Sequence, residues 1–118
     1  MTIQGTEFGR ITIDGKSYDH DVVIRTSGEV KKRRKKLSKA EYGTSHIVSK
    51  AEAKAVFENG CHLLIIGTGQ QGNLSLSPEA DAYFKKKSCR VIARPTPEAL
   101  ASFNEAQGRK IGLMHVTC

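Results

Sequence analysis

The 118-residue sequence contains no tryptophan, three prolines and three cysteines. The cysteines, Cys61, Cys89 and Cys118, are odd in number and no pair has Cys-x-x-Cys spacing. We therefore expect no disulfide framework and a reducing compartment. No stretch approaches the ~20 apolar residues of a membrane-spanning helix, and the N-terminus holds no apolar run typical of a secretion signal. These absences predict a cytoplasmic protein without a membrane span.

Positive charge is concentrated in one short run. Residues 31–36, KKRRKK, carry six positive charges, against a net charge of +7 for the whole chain. The chain has the length of one domain. We predict a single domain over residues 1–118, with a β-meander and the basic segment in residues 1–45 and an α/β part in residues 46–118.

The N-terminal third has the pattern of β-strands. Apolar and polar residues alternate over residues 8–13, and Asp14-Gly15 is a favoured pair for a type I′ turn. A returning strand over residues 17–24, a turn at residues 26–28 and a third strand over residues 29–33 follow. This order predicts a meander in which each strand pairs with its neighbour in sequence.

The rest of the chain alternates helices and strands. Ser49 and Glu52 have capping-box spacing, and Gly60 suits the end of the helix that they begin. Such alternation implies parallel strands joined by right-handed crossovers, so we predict an α/β fold with an added N-terminal β layer. The predicted elements are helices beginning after Ser49, at Pro78 and at Thr96, and strands over residues 61–66, 89–93 and 111–116.

A glycine loop follows the buried strand of residues 61–66. Its pattern, Gly67-x-Gly69-x-x-Gly72, is that of dinucleotide-binding loops. The next helix signal comes only at Ser77-Pro78, and no acidic residue follows at the expected distance, so we predict no nucleotide cofactor. Two interpretations stay open. The glycines provide sharp turns with positive φ, or the amides of residues 67–73, including Thr68, hold a small carboxylate or phosphate.

A polar cluster precedes the first predicted helix. Tyr42, Thr44, Ser45 and His46 place a phenol, two hydroxyls and an imidazole in a predicted loop, where function is often located. Ser45 and His46 are adjacent in sequence, which is a poor geometry for a nucleophile and its base. The cluster is therefore a candidate ligand-binding segment, or its side chains satisfy nearby backbone groups.

The basic run has two interpretations as well. Its cations suit contacts to phosphates, but no aromatic side chain is interleaved with them to stack on bases, so nucleic acid is the less favoured partner. Solvated lysines also protect an edge strand from aggregation. The residues concerned are Lys31, Lys32, Arg33, Arg34, Lys35 and Lys36.

Three further residues of the chain are of types that bind metals. His46, His115 and Cys118 are side chains that bind zinc. Since a fourth ligand has no evident source, we predict no metal.

Several short motifs in a fixed order carry a family resemblance. They are Phe8-Gly9, the Asp14-Gly15 turn, Tyr42 to His46, the strand and loop from Leu64 to Gly69, and the ending His115 to Cys118. With these motifs the chain resembles the methanogen-type uncharacterised domain family over nearly its whole length. Members with tryptophans before the first helix differ from this chain, so their partner contacts are not transferred to it.

The resemblance implies a fold and a kind of function. The implied fold has three layers, with a mixed central sheet flanked by helices and extra β-strands. No established catalysis comes with the family. Its relatives include the adipogenesis-associated domain protein and the third assembly factor of mitochondrial complex I, which act in regulation or assembly. The resemblance thus implies a non-enzymatic binding or assembly module with a protein partner.

Two alternatives to that function remain. One is an enzyme or a binder of small anions that uses the glycine loop with His46, where Arg34 or Lys36 supplies positive charge. The other is nucleic-acid binding through Lys31 to Lys36.

Overall fold

A computed structural model describes residues 2–116, which form ten strands and four helices. The strands predicted over residues 61–66, 89–93 and 111–116 are present with bounds shifted by one or two residues, and two helices begin directly after the predicted capping residues Ser49 and Ser77. In chain order the elements are β1 (Ile3–Glu7), β2 (Arg10–Ile13), β3 (Lys16–Tyr18), β4 (Val22–Ile24), β5 (Val30–Lys32), α1 (Lys35–Tyr42), β6 (Ile47–Val48), α2 (Lys50–Val56), β7 (Leu63–Thr68), β8 (Ser75–Leu76), α3 (Pro78–Lys86), β9 (Arg90–Arg94), α4 (Thr96–Glu105) and β10 (Lys110–His115).

The central sheet is mixed, and the α/β prediction is confirmed. Its strand order is β5-β4-β10-β7-β9. Strands β10, β7 and β9 run parallel, whereas β4 and β5 are antiparallel additions at one edge. Because helices or strands cover both faces, β7 and β10 are apolar on both sides, as buried parallel strands are.

Two hydrophobic cores lie on opposite faces of this sheet. On one face, Leu64 and Leu113 pack with Phe84 of α3 and with α2, and α1 lies against α2. On the other face, Ile65 and Met114 pack with α4 and with the separate three-stranded sheet β1-β2-β3. The molecule therefore has three layers, with the N-terminal β layer beside α4.

The predicted meander is wrong in two respects. Strand β1 precedes the predicted strands and pairs with β2, and Phe8 and Gly9, predicted as the start of a strand, lie in the turn between β1 and β2. The strand predicted over residues 17–24 is divided into β3, in the small sheet, and β4, in the central sheet. The division falls at Asp21, whose side chain accepts the backbone N–H of Val116 at 2.8 Å and so holds the chain against the end of β10. The predicted turn at Asp14-Gly15 is confirmed, with positive φ at both residues.

Helix α1 is absent from the prediction. The segment from Lys35 to Tyr42 has few apolar residues, no acidic residue in its first turn and no side-chain cap. It therefore lacks the signals by which a helix is recognised in a sequence. The end of α2 also differs, because the helix stops at Val56 and the predicted terminator Gly60 lies in the following turn.

The helices of residues 2–116 are short, and α4 has ten residues. Over this part of the chain, none is long and apolar enough to cross a bilayer.

Candidate functional site

Polar residues from distant parts of the sequence meet at the carboxyl ends of β7 and β10. His115 is the last residue of β10 and pairs with Thr68 of β7. Asp21 lies just before β4, which runs antiparallel beside β10. In open α/β sheets, ligands bind at this end of the parallel strands, so these residues form a candidate site.

Asp21 and His115 form a buried pair. The Nδ1 atom of His115 lies 2.6 Å from an Asp21 carboxylate oxygen, and both side chains are fully buried. Burial raises the pKa of Asp21, but the hydrogen bonds from His115 and Val116 and the charges of His115 and Lys35 outweigh it, lowering the pKa to about 2. Asp21 is therefore a carboxylate at neutral pH and fixes the orientation of the His115 ring.

Arg33 joins two carboxylates in the same interior. Its guanidinium donates to Glu52 at 2.6 and 2.9 Å, to Asp21 at 3.0 Å and to the Ser45 carbonyl at 2.7 Å. Burial lowers the pKa of Arg33, but the two carboxylates outweigh that effect and raise it. The expectation that Arg33 belongs to a solvent-facing basic run is wrong, since only 3% of the residue is exposed.

The serine hydroxyls complete the network. The Ser49 Oγ accepts the Glu52 N–H at 3.1 Å, as the capping box predicts. The Glu52 side chain does not turn back to Ser49, because it is bound to Arg33 and to the Ser38 hydroxyl. Ser38 Oγ accepts the Ser49 N–H at 3.0 Å instead. The network thus connects α1 and α2 to the sheet.

His46 lies beside His115. Their ring centroids are 5.5 Å apart and the rings are nearly perpendicular. The Nε2 atom of His115 is buried and has no hydrogen-bond partner in the described part of the chain. His46 is half-buried, and its backbone N–H donates to Thr44 Oγ1 at 3.1 Å. Thr44 thus serves a backbone group, as one of the two interpretations of the cluster proposed.

Tyr42 and Ser45 do not point to a common ligand position. The Tyr42 hydroxyl donates to Glu79 at 2.8 Å on the exposed side of α3. Ser45 is tied to the network through its carbonyl oxygen, which accepts from Arg33. The polar cluster is therefore divided between the surface and the buried network.

The three glycines of the loop have different roles. A Cβ atom at Gly67 would lie 2.8 Å from both Met114 Sδ and Thr96 Oγ1, so this glycine permits close packing. Gly69 and Gly72 have positive φ, as one interpretation predicted. The Gly69 N–H donates to Thr96 Oγ1 at 2.9 Å and the Gly72 N–H to the Gly69 carbonyl at 3.3 Å. These two amides are engaged inside the protein.

The remaining cations of residues 31–36 lie at the surface. Lys31 and Lys32 are exposed on β5, which is an edge strand as one interpretation of the run required. Arg34 precedes α1, and Lys35 and Lys36 form its first turn. A cavity of about 460 Å³ opens beside Lys32 and these residues. We call it the basic groove.

A second cavity of about 460 Å³ lies between α2 and α3. Four lysines surround it, Lys50 and Lys54 on α2 and Lys86 and Lys87 at the end of α3, and Tyr83 is also part of its lining. We call it the helical groove. The sequence predicted a single basic run, whereas the fold adds lysines from α2 and α3 to the same layer of the molecule.

Two of the three cysteines lie among the described residues. Over residues 2–116 there is no group of three or more histidine, cysteine or acidic side chains suited to a metal, and Cys118 lies outside the described residues. Cys61 and Cys89 are buried and form no disulfide bond with each other. Burial and the neighbouring Cys61 raise the pKa of the Cys89 thiol to about 12, so it is a thiol at neutral pH.

Comparison with known proteins gives the family. Residues 3–115 match the family model described as "Protein of unknown function (DUF498/DUF598)". The chain belongs to this family. The predicted membership in an uncharacterised domain family is thereby confirmed.

Solved structures of similar proteins agree with the fold. The conserved hypothetical protein PH1505 from Pyrococcus horikoshii OT3 is 39% identical, with a TM-score of 0.93 and complete coverage of both chains. The protein MT938 is 32% identical, with a TM-score of 0.85 over 99% of this chain and 98% of its own. XCC1710 from Xanthomonas campestris shares the fold, with a TM-score of 0.75 at 13% identity over 98% of this chain and 83% of its own.

Proposed function

We propose that this protein is a binding module that docks an acidic protein partner on the surface formed by β5, α1, α2 and α3. The observation that carries the proposal is the concentration of exposed cations around the basic groove and the helical groove. Clustered charge of one sign steers and selects partners of the opposite sign. We call this surface the basic face, and its cations are Lys31, Lys32, Arg34, Lys35, Lys36, Lys39, Lys50, Lys54, Lys86 and Lys87.

The cations of the basic face outnumber the carboxylates beside it, of which Asp21 lies 3.7 Å from Lys35, and Glu41 and Glu79 are exposed on α1 and α3. Glu52 is fully buried and bound to Arg33, and Glu79 accepts the Tyr42 hydroxyl. The first turn of α1 carries cations where the helix dipole favours anions. Carboxylates of a partner would relieve this repulsion, which supports an acidic ligand.

A protein partner is favoured over single-stranded nucleic acid. Stacking of bases on exposed aromatic rings supplies much of the affinity for single strands. Within residues 2–116, Phe8 is the large apolar side chain that is strongly exposed, and it lies in the turn between β1 and β2, outside the basic face. In the basic face, the half-buried Tyr83 lines the helical groove, and one ring does not provide a platform for successive bases. The resemblance described above, whose implied relatives act in regulation or assembly, points in the same direction.

Fluorescence anisotropy tests the proposal with a labelled polyglutamate peptide and a labelled single-stranded DNA oligonucleotide. Measurements at about 0.02 and 0.15 M salt vary the screening length. The test variant replaces Lys31, Lys32, Arg34 and Lys36 with glutamine. The matched control replaces Arg10, Lys16, Arg90 and Arg94, which are exposed cations outside the basic face, so both variants have the same net charge.

We expect the test variant to bind polyglutamate about tenfold more weakly than the control, because four exposed charges each contribute up to about 1 kcal/mol. Equal loss in both variants would show that only net charge matters, and would overturn the proposal. DNA binding that is tighter than polyglutamate binding at the higher salt, and that is lost in the test variant, would replace the protein partner with nucleic acid.

A small hydrogen-bonding anion beside His46 is a second candidate. The unpartnered Nε2 atom of His115 favours it, because a buried polar atom without a partner is costly. Titration with inorganic phosphate, followed by the imidazole ¹⁵N signals of His46 and His115, tests this candidate. Saturable shifts of both rings would support it, and unchanged spectra would eliminate it for phosphate.

A further inference from the structure

We infer that the helical groove holds a segment of the acidic partner in which an apolar side chain lies between carboxylates. This inference rests on the proposed function, since it specifies the segment that binds to one part of the basic face. Two features of the groove carry it, an aromatic floor and a rim of lysines.

The floor of the helical groove is formed by Tyr83 and Ala82, and the Tyr83 ring is held by two further aromatic rings outside the lining. The Tyr83 ring packs edge-on against Phe57 at 5.9 Å and against Phe84 at 5.7 Å between centroids. Tyr83 is half-buried, and the neighbouring Ala82 is exposed and has only a methyl group. The floor therefore offers apolar contact area to a side chain of a ligand.

The rim of the groove supplies positive charge on two sides. Lys50 and Lys54 are one turn apart on α2, so both side chains lie on the same side of that helix. Lys86 and Lys87 stand on the α3 side, and the Lys87 ammonium lies 5.7 Å from the centre of the Tyr83 ring. Carboxylates on both sides of a central apolar side chain match this arrangement.

The single acidic residue of the lining is already engaged. Glu79 accepts the Tyr42 hydroxyl at 2.8 Å, which directs its carboxylate toward α1. The lining carries four lysines against this one carboxylate, and the resulting net charge of +3 favours an anionic ligand. A nucleic-acid strand would meet one half-buried ring here, which is too little for the stacking of successive bases, whereas an acidic peptide with one apolar side chain matches both the Tyr83 ring and the lysines.

Two labelled glutamate peptides of equal length and charge test the inference, one with a central phenylalanine and one with a central alanine. We expect the phenylalanine peptide to bind about fivefold more tightly, which corresponds to partial burial of one aromatic side chain. Chemical-shift mapping by NMR should place the additional perturbations of the phenylalanine peptide in α2 and α3.

A matched pair of variants locates the binding. Ala82→Glu puts a carboxylate into the helical groove, and Ala101→Glu makes the same change on an exposed position of α4, on the other face of the sheet. We expect Ala82→Glu to remove the fivefold preference for phenylalanine and Ala101→Glu to retain it. Thermal melts of both variants verify that each remains folded.

The outcomes separate this inference from the proposed function. If both peptides bind equally and the binding depends on the basic face, the inference is overturned and the acidic partner stands. If Ala82→Glu and Ala101→Glu affect the preference equally, the groove is not the binding site. If neither peptide binds at low salt, the proposed function fails and the inference fails with it.

Discussion

Arg33 and Arg34 are adjacent in the basic run, yet Arg33 is 3% exposed and Arg34 lies on the surface beside α1. Arg33 donates hydrogen bonds to two buried carboxylates, whereas Arg34 lines the basic groove. The same charge thus serves folding at one position and is available for binding at the next. The two arginines differ in their access to solvent. A buried charge must be compensated inside the protein, whereas an exposed charge is screened by salt.

The largest expected effect is the difference in the free energy of unfolding between a variant that lacks the Arg33 charge and one that lacks the Arg34 charge. Arg33→Met leaves Glu52 and Asp21 buried without their partner, so we expect a loss of about 3–5 kcal/mol in the free energy of unfolding. Arg34→Met should change it by no more than about 0.5 kcal/mol. Urea unfolding measures both values, and equal effects would contradict the distinction between the two arginines.

A double variant gives a control for Arg33. Adding Glu52→Gln to Arg33→Met removes one of the buried charges that the single variant leaves uncompensated. We therefore expect the double variant to recover part of the lost stability. Additive destabilisation would indicate that packing, and not the charge of Glu52, explains the effect.

Acid should weaken the buried network while the basic face keeps its charge. The pKa of Asp21 is about 2 in the folded protein and near 3.8 when unfolded. The depressed pKa contributes about 2 kcal/mol of stability above pH ~4, which is lost as the pH falls through about 2. Urea unfolding of the wild type and of Asp21→Asn should give a stability difference that shrinks over this range. A constant difference would contradict the assignment to Asp21.

The sequence allowed much of the scaffold to be predicted. Ser49 and Ser77 mark the starts of α2 and α3 because each side chain accepts a backbone N–H of the first turn. The apolar run that contains Leu64 and Ile66 predicts β7 because a parallel strand is buried on both faces. Local hydrogen bonding and burial leave signals within a few residues, so these elements are recognisable without tertiary information.

The buried network had no such signal. Asp21, Arg33 and His115 come from distant positions, and their contacts exist only because β4 pairs with β10 and Arg33 follows β5. In the sequence, Arg33 is one of six consecutive cations, and composition does not distinguish it from the others. The Glu52 side chain was expected to cap α2, and a long-range ion pair takes that side chain instead.

The smallest expected effect concerns Arg34 and links folding to binding. Arg34→Asp places a negative charge at the start of α1, where no acidic residue or side-chain cap is present. We expect the free energy of unfolding to rise by about 0.3–1 kcal/mol through the helix dipole, while polyglutamate binding weakens. Calorimetry and anisotropy on the same preparation measure the two quantities. A gain in stability accompanied by a loss of binding would indicate that α1 keeps an unfavourable charge because a partner uses it. Unchanged binding would contradict the place of Arg34 in the basic face, and Lys36→Asp, a change in the first turn of α1, serves as the comparison.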